Sequence, residues 1–180
     1  AYSLIVEQGT RLAMRVRRGE VLMPDDDELA EKYLMAEHHL TALGFSNYET
    51  SNWARIPAAR CRHNLAYWKQ EDIGPGAHSH IGGVRFWNRK HPRSYAAALA
   101  GGHTPAQGRE VLSLEDRRVE RVMLELRLAE GLPLGVLTET ESARVEGIVA
   151  EGLGVVEEGR LLLTLRGRLL ADGVVLRLLD

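Results

Sequence analysis

The chain has 180 residues, 44% of them hydrophobic, with 23 basic and 25 acidic side chains and a formal net charge of −2. Charges of both signs are mixed, which argues against a dedicated nucleic-acid binder, and no run of about 18 apolar residues offers a transmembrane helix. Cys61 is the only cysteine. An internal disulfide is therefore excluded, a reducing cytoplasm is expected, and one thiolate does not by itself hold a four-iron cluster.

Residues 1–6 alternate apolar and polar positions and predict a strand. The opening AYSLIVEQGT has no initiator methionine and no signal-peptide pattern, and reads as a chain entered mid-fold. A Gly-Thr turn and a basic segment (Arg15, Arg17, Arg18) follow. Pro24-Asp25-Asp26-Asp27 predicts a helix start, since proline suits the first turn and acids suit the positive helix end. Leu29, Tyr33, Ala36, Leu40 and Leu43 keep helical spacing towards a core, and Gly44 suits a left-handed stop. Residues 45–53 return to alternation and predict a second strand, so that strand, helix and strand suggest a βαβ unit with a parallel sheet.

Residues 54–95 are rich in Gly, His, Asn and aromatics and poor in periodicity, the pattern of a functional loop region. Residues 100–110 read as a linker. Beyond it Ser113 to Asp116 and Thr138 to Glu141 resemble capping boxes. Val119, Val122, Met123 and Leu126 form one helical stripe, ending near Gly131-Leu132-Pro133, and Val145, Ile148 and Val149 form another. Val155-Val156, a turn at 157–160 and Leu161 to Leu163 predict a β-hairpin, and Thr164 a cap for a last helix. The order helix, helix, hairpin, helix predicts a small α+β, winged-helix-like domain over 111–180.

The chemistry concentrates in Cys61 to His80, CRHNLAYWKQEDIGPGAHSH. An aromatic pair beside a histidine suits a flat, largely apolar ligand. An imidazole can ligate iron and aromatic faces can pack on a macrocycle. An asparagine next to the histidine can orient the ring or bond a propionate. Gly74 and Gly76 let backbone approach a ligand. Plainer readings stand beside these: His63 as a hydrogen-bonded loop histidine, Tyr67 and Trp68 as core, Gly74-Pro75-Gly76 as a turn, Cys61 as a buried thiol. Arg15, Arg17 and Arg18 could meet propionates, but they, like Arg85, Arg89 and Lys90, also read as solvated basic faces. His78 and His80 lack an evident third ligand for a structural metal.

Four segments occur in order: Tyr2-Ser3-Leu4 with Glu7-Gln8-Gly9-Thr10, Tyr48 to Ala54 (YETSNWA), Cys61 to Trp68 (CRHNLAYW) and Ile73 to Ser79 (IGPGAHS). Together they resemble the C-terminal half of the radical-SAM, oxygen-independent coproporphyrinogen III oxidase-like family, in its heme-chaperone (HemW) branch. Leu163 to Asp172 resembles that family's C-terminal domain. The resemblance implies an α/β fold: part of a partial (β/α) barrel over 1–99 and, after the linker, the winged-helix-like domain. It implies heme binding through the His-Asn-x-x-Tyr-Trp signature, which falls on His63, Asn64, Tyr67 and Trp68, with His63 the metal ligand. It places the S-adenosylmethionine region on Gly74 through Ser79, with Ala77 and His78 the expected contacts. Full-length members carry a 4Fe-4S cluster on a C-x3-C-x2-C loop, which this sequence lacks, so the chain alone is not expected to be catalytic. Asp72 also runs straight into Ile73, where the family has two or three more residues. At roughly 3.3 Å per extended residue, that would shift His63 relative to His78 by several ångströms.

The resemblance further implies heme or porphyrin as ligand, heme-accepting proteins as partners, and room for a dimer. Two alternatives remain. One is part of an oxygen-independent coproporphyrinogen III oxidase. The other is a winged-helix nucleic-acid module at 110–180, with Arg166, Arg168 and Arg177 on its last helix.

Overall fold

The structure is a computed structural model that describes residues 1–69, 78–81 and 83–180, with His78, His80 and Ile81 described by backbone alone. The chain forms two compact units, Ala1–Ala59 and Arg60–Asp180.

In the first unit, residues 1–6 are irregular rather than a strand. Alternation makes a strand only where a neighbour takes up its N–H and C=O groups, and among the described residues no strand pairs with this segment. Helix α1 (Arg11–Arg17) forms where only a basic segment was read; the Thr10 hydroxyl caps it by accepting from the Ala13 N–H at 3.1 Å. Helix α2 (Asp26–Ala42) begins as expected, with the Asp25 carboxylate accepting from the Glu28 N–H at 2.8 Å. It stops at Gly44, whose φ of 78° only glycine adopts readily. Of its apolar stripe, Leu29, Tyr33, Ala36 and Leu40 are half-buried, while Leu43 is exposed.

The strand expected over 45–53 is instead two short antiparallel strands, β1 (Ser46–Glu49) and β2 (Asn52–Ala54). Hydrogen bonding across the turn explains the reversal. Asn47 Nδ2 donates to the carbonyls of Glu49 (2.6 Å) and Asn52 (3.3 Å), and the Tyr33 hydroxyl donates to the Thr50 carbonyl at 3.0 Å. The parallel βαβ unit is thus replaced by a hairpin, and every strand pair among the described residues is antiparallel.

In the second unit, the stretch read as irregular supplies helix α3 (Arg62–Trp68), strands β3 (His78–Ile81) and β4 (Val84–Asn88), and the first turn of helix α4 (Pro92–Ala100). Residues 106–111, within and just past the stretch read as a linker, form strand β5 (Ala106–Val111), giving the sheet order β3-β4-β5. Trp87 lies opposite Gly108, and its indole covers the glycine so closely that a Cβ there would stand 2.2 Å from the ring.

The remainder follows its local signals. Helix α5 (Leu114–Glu125) and helix α6 (Glu139–Ala150) both open on complete capping boxes, Ser113/Asp116 and Thr138/Glu141. Strand β6 (Leu132–Pro133) joins the hairpin of β7 (Gly154–Glu157) and β8 (Arg160–Leu163) in the order β6-β8-β7. Glu158 and Gly159 both take positive φ, 48° and 75°, as a two-residue hairpin turn requires. Thr164 caps helix α7 (Leu165–Leu169), but a break at Leu170 divides the expected last helix, and helix α8 (Ala171–Leu179) follows. Val122, Leu126, Leu132, Ile148, Leu161, Val174 and Leu178 form one core between α5, α6, α8 and the sheet. Arg118 and Glu141 lock its rim in a two-pronged ion pair of 2.6 and 2.9 Å.

Candidate functional site

The histidine–aromatic segment is helical. Helix α3 starts at Arg62 with the Cys61 carbonyl accepting from the Leu65 N–H at 3.1 Å, and Cys61 gives no side-chain cap. One and a bit turns of helix bring residues four apart onto one face. His63 and Tyr67 therefore share a stripe, and Asn64 and Trp68 share the neighbouring one, about 100° round the helix axis.

The His63 and Tyr67 rings meet edge to face, with centroids 5.9 Å apart and planes at 84°. Both side chains are exposed, Tyr67 by 58%. Asn64 and Trp68 are half-buried. The helix thus offers an imidazole and a phenol ring outward, with an amide and an indole beside them. An imidazole on an accessible face can serve as a single axial ligand to an iron whose other ligands a macrocycle supplies. A protein-only metal centre is a different matter: the described residues contain no group of three or more His, Cys, Asp or Glu able to hold a metal ion.

Four of the expected site residues, His63, Asn64, Tyr67 and Trp68, are therefore gathered on one short helix. Gly74, Gly76 and Ala77 lie outside the described residues. His78 opens β3, its backbone opposite Trp87. Cys61, read as a buried thiol, is exposed. It stands at a helix entry whose neighbours Arg62 and His63 are also exposed, so little chain covers it.

The β1–β2 hairpin, within the YETSNWA segment, holds a polar cluster. Glu49 is 2% exposed, and its carboxylate accepts from Asn52 Nδ2 and from the Ser51 N–H. Asn52 also donates to the Tyr2 hydroxyl at 2.6 Å, and the Trp53 indole N–H donates to the Glu37 carboxylate. The signal for it was an acid directly after the buried Tyr48, at the end of a strand, where an ion is placed only if hydrogen bonds receive it.

No family model matches the chain. It is 51% identical over 182 residues to a heme chaperone HemW of Mycobacterium tuberculosis, covering 99% of this chain and 46% of that protein. Heme chaperone HemW of Escherichia coli is 34% identical over 160 residues, covering 84% of this chain and 37% of the relative. A mitochondrial radical S-adenosyl methionine domain-containing protein 1 of Dictyostelium discoideum is 27% identical over 216 residues, covering 99% of this chain and 48% of the relative. Among solved structures, the radical-SAM coproporphyrinogen III oxidase HemN of Escherichia coli matches with a TM-score of 0.58 at 16% identity, over 86% of this chain and 42% of that one, which is a likeness of fold. The chain spans about half the length, or less, of these relatives. Over nearly all of its length, the chain is a relative of the heme chaperone HemW proteins.

Proposed function

We propose that this chain binds heme reversibly and passes it on, with α3 as the contact surface. The observation that carries the reading is the exposed His63–Tyr67 pair, edge to face on one helical stripe, in a chain 51% identical to a heme chaperone HemW of Mycobacterium tuberculosis. Heme is cargo here. His63 ligates its iron, Tyr67 and Trp68 pack on the macrocycle, and Asn64 bonds a propionate or steers the ring. Each role suits its side chain: imidazole is a common axial ligand, aromatic faces bury well against a flat apolar surface, and an amide both donates and accepts.

In the same reading, residues 1–99 belong to a partial (β/α) barrel and 111–180 form the winged-helix-like domain, joined through 100–110. Gly74, Gly76, Ala77 and His78 belong to a region facing S-adenosylmethionine in the whole protein. The cluster chemistry of such proteins does not fit this chain's own residues, because Cys61 is its only thiol. No step is assigned to it here. Heme-accepting proteins are the partners the reading implies, in the cytoplasm, with a dimer compatible. No helix among the described residues is long and apolar enough to cross a membrane.

Titration of the chain with hemin tests the proposal. Wild type gives a saturable Soret change, and His63→Ala, Tyr67→Ala and Trp68→Ala each weaken it, His63→Ala most. Equal affinity in all four proteins rules out α3 as the heme surface. The fold likeness to HemN supports a second reading, a part of an oxygen-independent coproporphyrinogen III oxidase. Conversion of coproporphyrinogen III by a full-length protein containing this chain would decide for it.

A further inference from the structure

Between Asp72 and Glu110 the sequence has no acidic residue. With 25 acids in 180 residues, those 37 positions would ordinarily hold about five. The same stretch holds Arg85, Arg89, Lys90, Arg93 and Arg109, and four of the seven histidines. Arg85 is neutralised from outside the stretch, by Glu110 and Glu120. Arg89 and Lys90 have no acidic side chain within ion-pair distance among the described residues.

These two cations stand at the corner where β4 gives way to α4, and a bulge in the neighbouring strand shapes that corner. Trp87 pairs with Gly108 and Asn88 with Ala106, so Gln107 is the extra residue of β5. A bulge of this kind turns a side chain out of the regular alternation. The Arg89 N–H donates to the Pro105 carbonyl at 3.0 Å and closes the corner. A solvent-open hollow of about 460 Å³ lies there, lined by Arg89, Lys90, His91, Ser94, Ala106 and Gln107.

The wall is one-sided in its chemistry. Arg89 and Lys90 bring positive charge, Ser94 and Gln107 bring neutral donors, and no carboxylate among the described residues lines the hollow. His91 Nδ1 accepts from the Arg93 N–H at 3.2 Å, so the neutral ring carries its hydrogen on Nε2, as a further donor. Two cations without an acidic partner among the described residues, beside three neutral donors, favour an anion with several acceptor oxygens.

We infer that this hollow binds an oxyanion carried by a small molecule, a phosphate or clustered carboxylates. The inference is independent of the heme surface on α3.

Inorganic phosphate and citrate, each titrated into the full chain at constant ionic strength, provide the test, read by amide chemical shifts and calorimetry. Saturable binding is expected, with shifts centred on Lys90, Ser94 and Gln107. Lys90→Glu, a change at an exposed position that leaves folding intact, weakens binding about tenfold or more, as expected for the loss of a charge-assisted contact. Gln107→Ala weakens it about threefold. Arg166→Glu, which reverses an exposed charge on α7, and His63→Ala both leave it unchanged. Saturation by phosphate alone identifies a phosphoryl ligand, and saturation by citrate alone a carboxylate one; either supports the site. Shifts that grow without saturating for both ions, or a Lys90→Glu protein with wild-type affinity, overturn it.

Discussion

The stretch from Ser113 to Asp180 and the stretch from Arg62 to Val111 obey different rules. In the first, structure is fixed by contacts a few residues apart: two capping boxes, a two-residue turn with both φ positive, and helical stripes that close on one core. In the second, the sheet also needs a partner distant in sequence. β5 has no β-branched residue before the exposed Val111, and it is held by pairing with β4 and by the indole of Trp87 over Gly108. The lesson is that the locally specified stretch carries stability, while the cross-paired one displays side chains outward, among them His63, Tyr67, Arg89 and Lys90.

That contrast can be broken by substitution. The largest loss is expected at Glu141. Burial raises its pKa, but the Arg118 guanidinium and the Thr138 backbone N–H more than offset this and hold it below the usual glutamate value. Removing the carboxylate in Glu141→Ala takes two hydrogen bonds from Arg118, which keeps only the exposed Glu115 as an acidic partner among the described residues, and takes away half a capping box. A cost of about 3–5 kcal/mol in denaturant unfolding follows. The same pair sets a pH dependence. A carboxyl whose pKa is depressed on folding stabilises the fold above its unfolded pKa, and that contribution fades as pH falls through the depressed value. The stability gap between wild type and Glu141→Gln is therefore widest near neutral pH and closes in acid. A gap that does not change with pH contradicts the assignment.

Gly167→Ala comes next. An added Cβ would stand 1.8 Å from the Leu153 carbonyl oxygen, inside backbone that cannot yield. Unfolding free energy falls by about 3 kcal/mol, the upper range for overpacking. Ser113→Ala removes the hydroxyl that accepts from the Asp116 N–H at 3.0 Å and costs about 1 kcal/mol. Tyr67→Ala, on the exposed side of α3, changes stability by no more than about 0.5 kcal/mol while lowering heme affinity. A Tyr67→Ala protein that unfolds early would place that ring in structure rather than in binding.

Legibility follows the same division. Thr138, Ser113, Thr164 and the 158–159 turn were readable because each acts on backbone within three residues. The helix at α2 was readable from Asp25 and its acids. Residues 1–6 and 45–53 misled because alternation reports a pleated surface and not the direction or existence of a partner. The polar turn at Thr50-Ser51 decided the reversal through Asn47 and Tyr33, contacts with no periodic signature. Helix α3 was hidden for another reason. Seven residues are too few for an amphipathic pattern, and Cys61 provides no side-chain cap. Its residues were nonetheless picked out by type, since a histidine with an asparagine and two aromatics is chemically distinctive whatever the backbone does. Their common face was not visible, because it requires the helix.

The heme reading rests on iron ligation by one imidazole, and the visible spectrum of the hemin complex of His63→Gly, recorded with and without free imidazole, addresses that directly. The account predicts that the wild-type Soret band is lost in the variant and returns when imidazole fills the vacated position. A His63→Gly complex whose spectrum already equals that of wild type, and does not respond to imidazole, would show that the iron is held elsewhere.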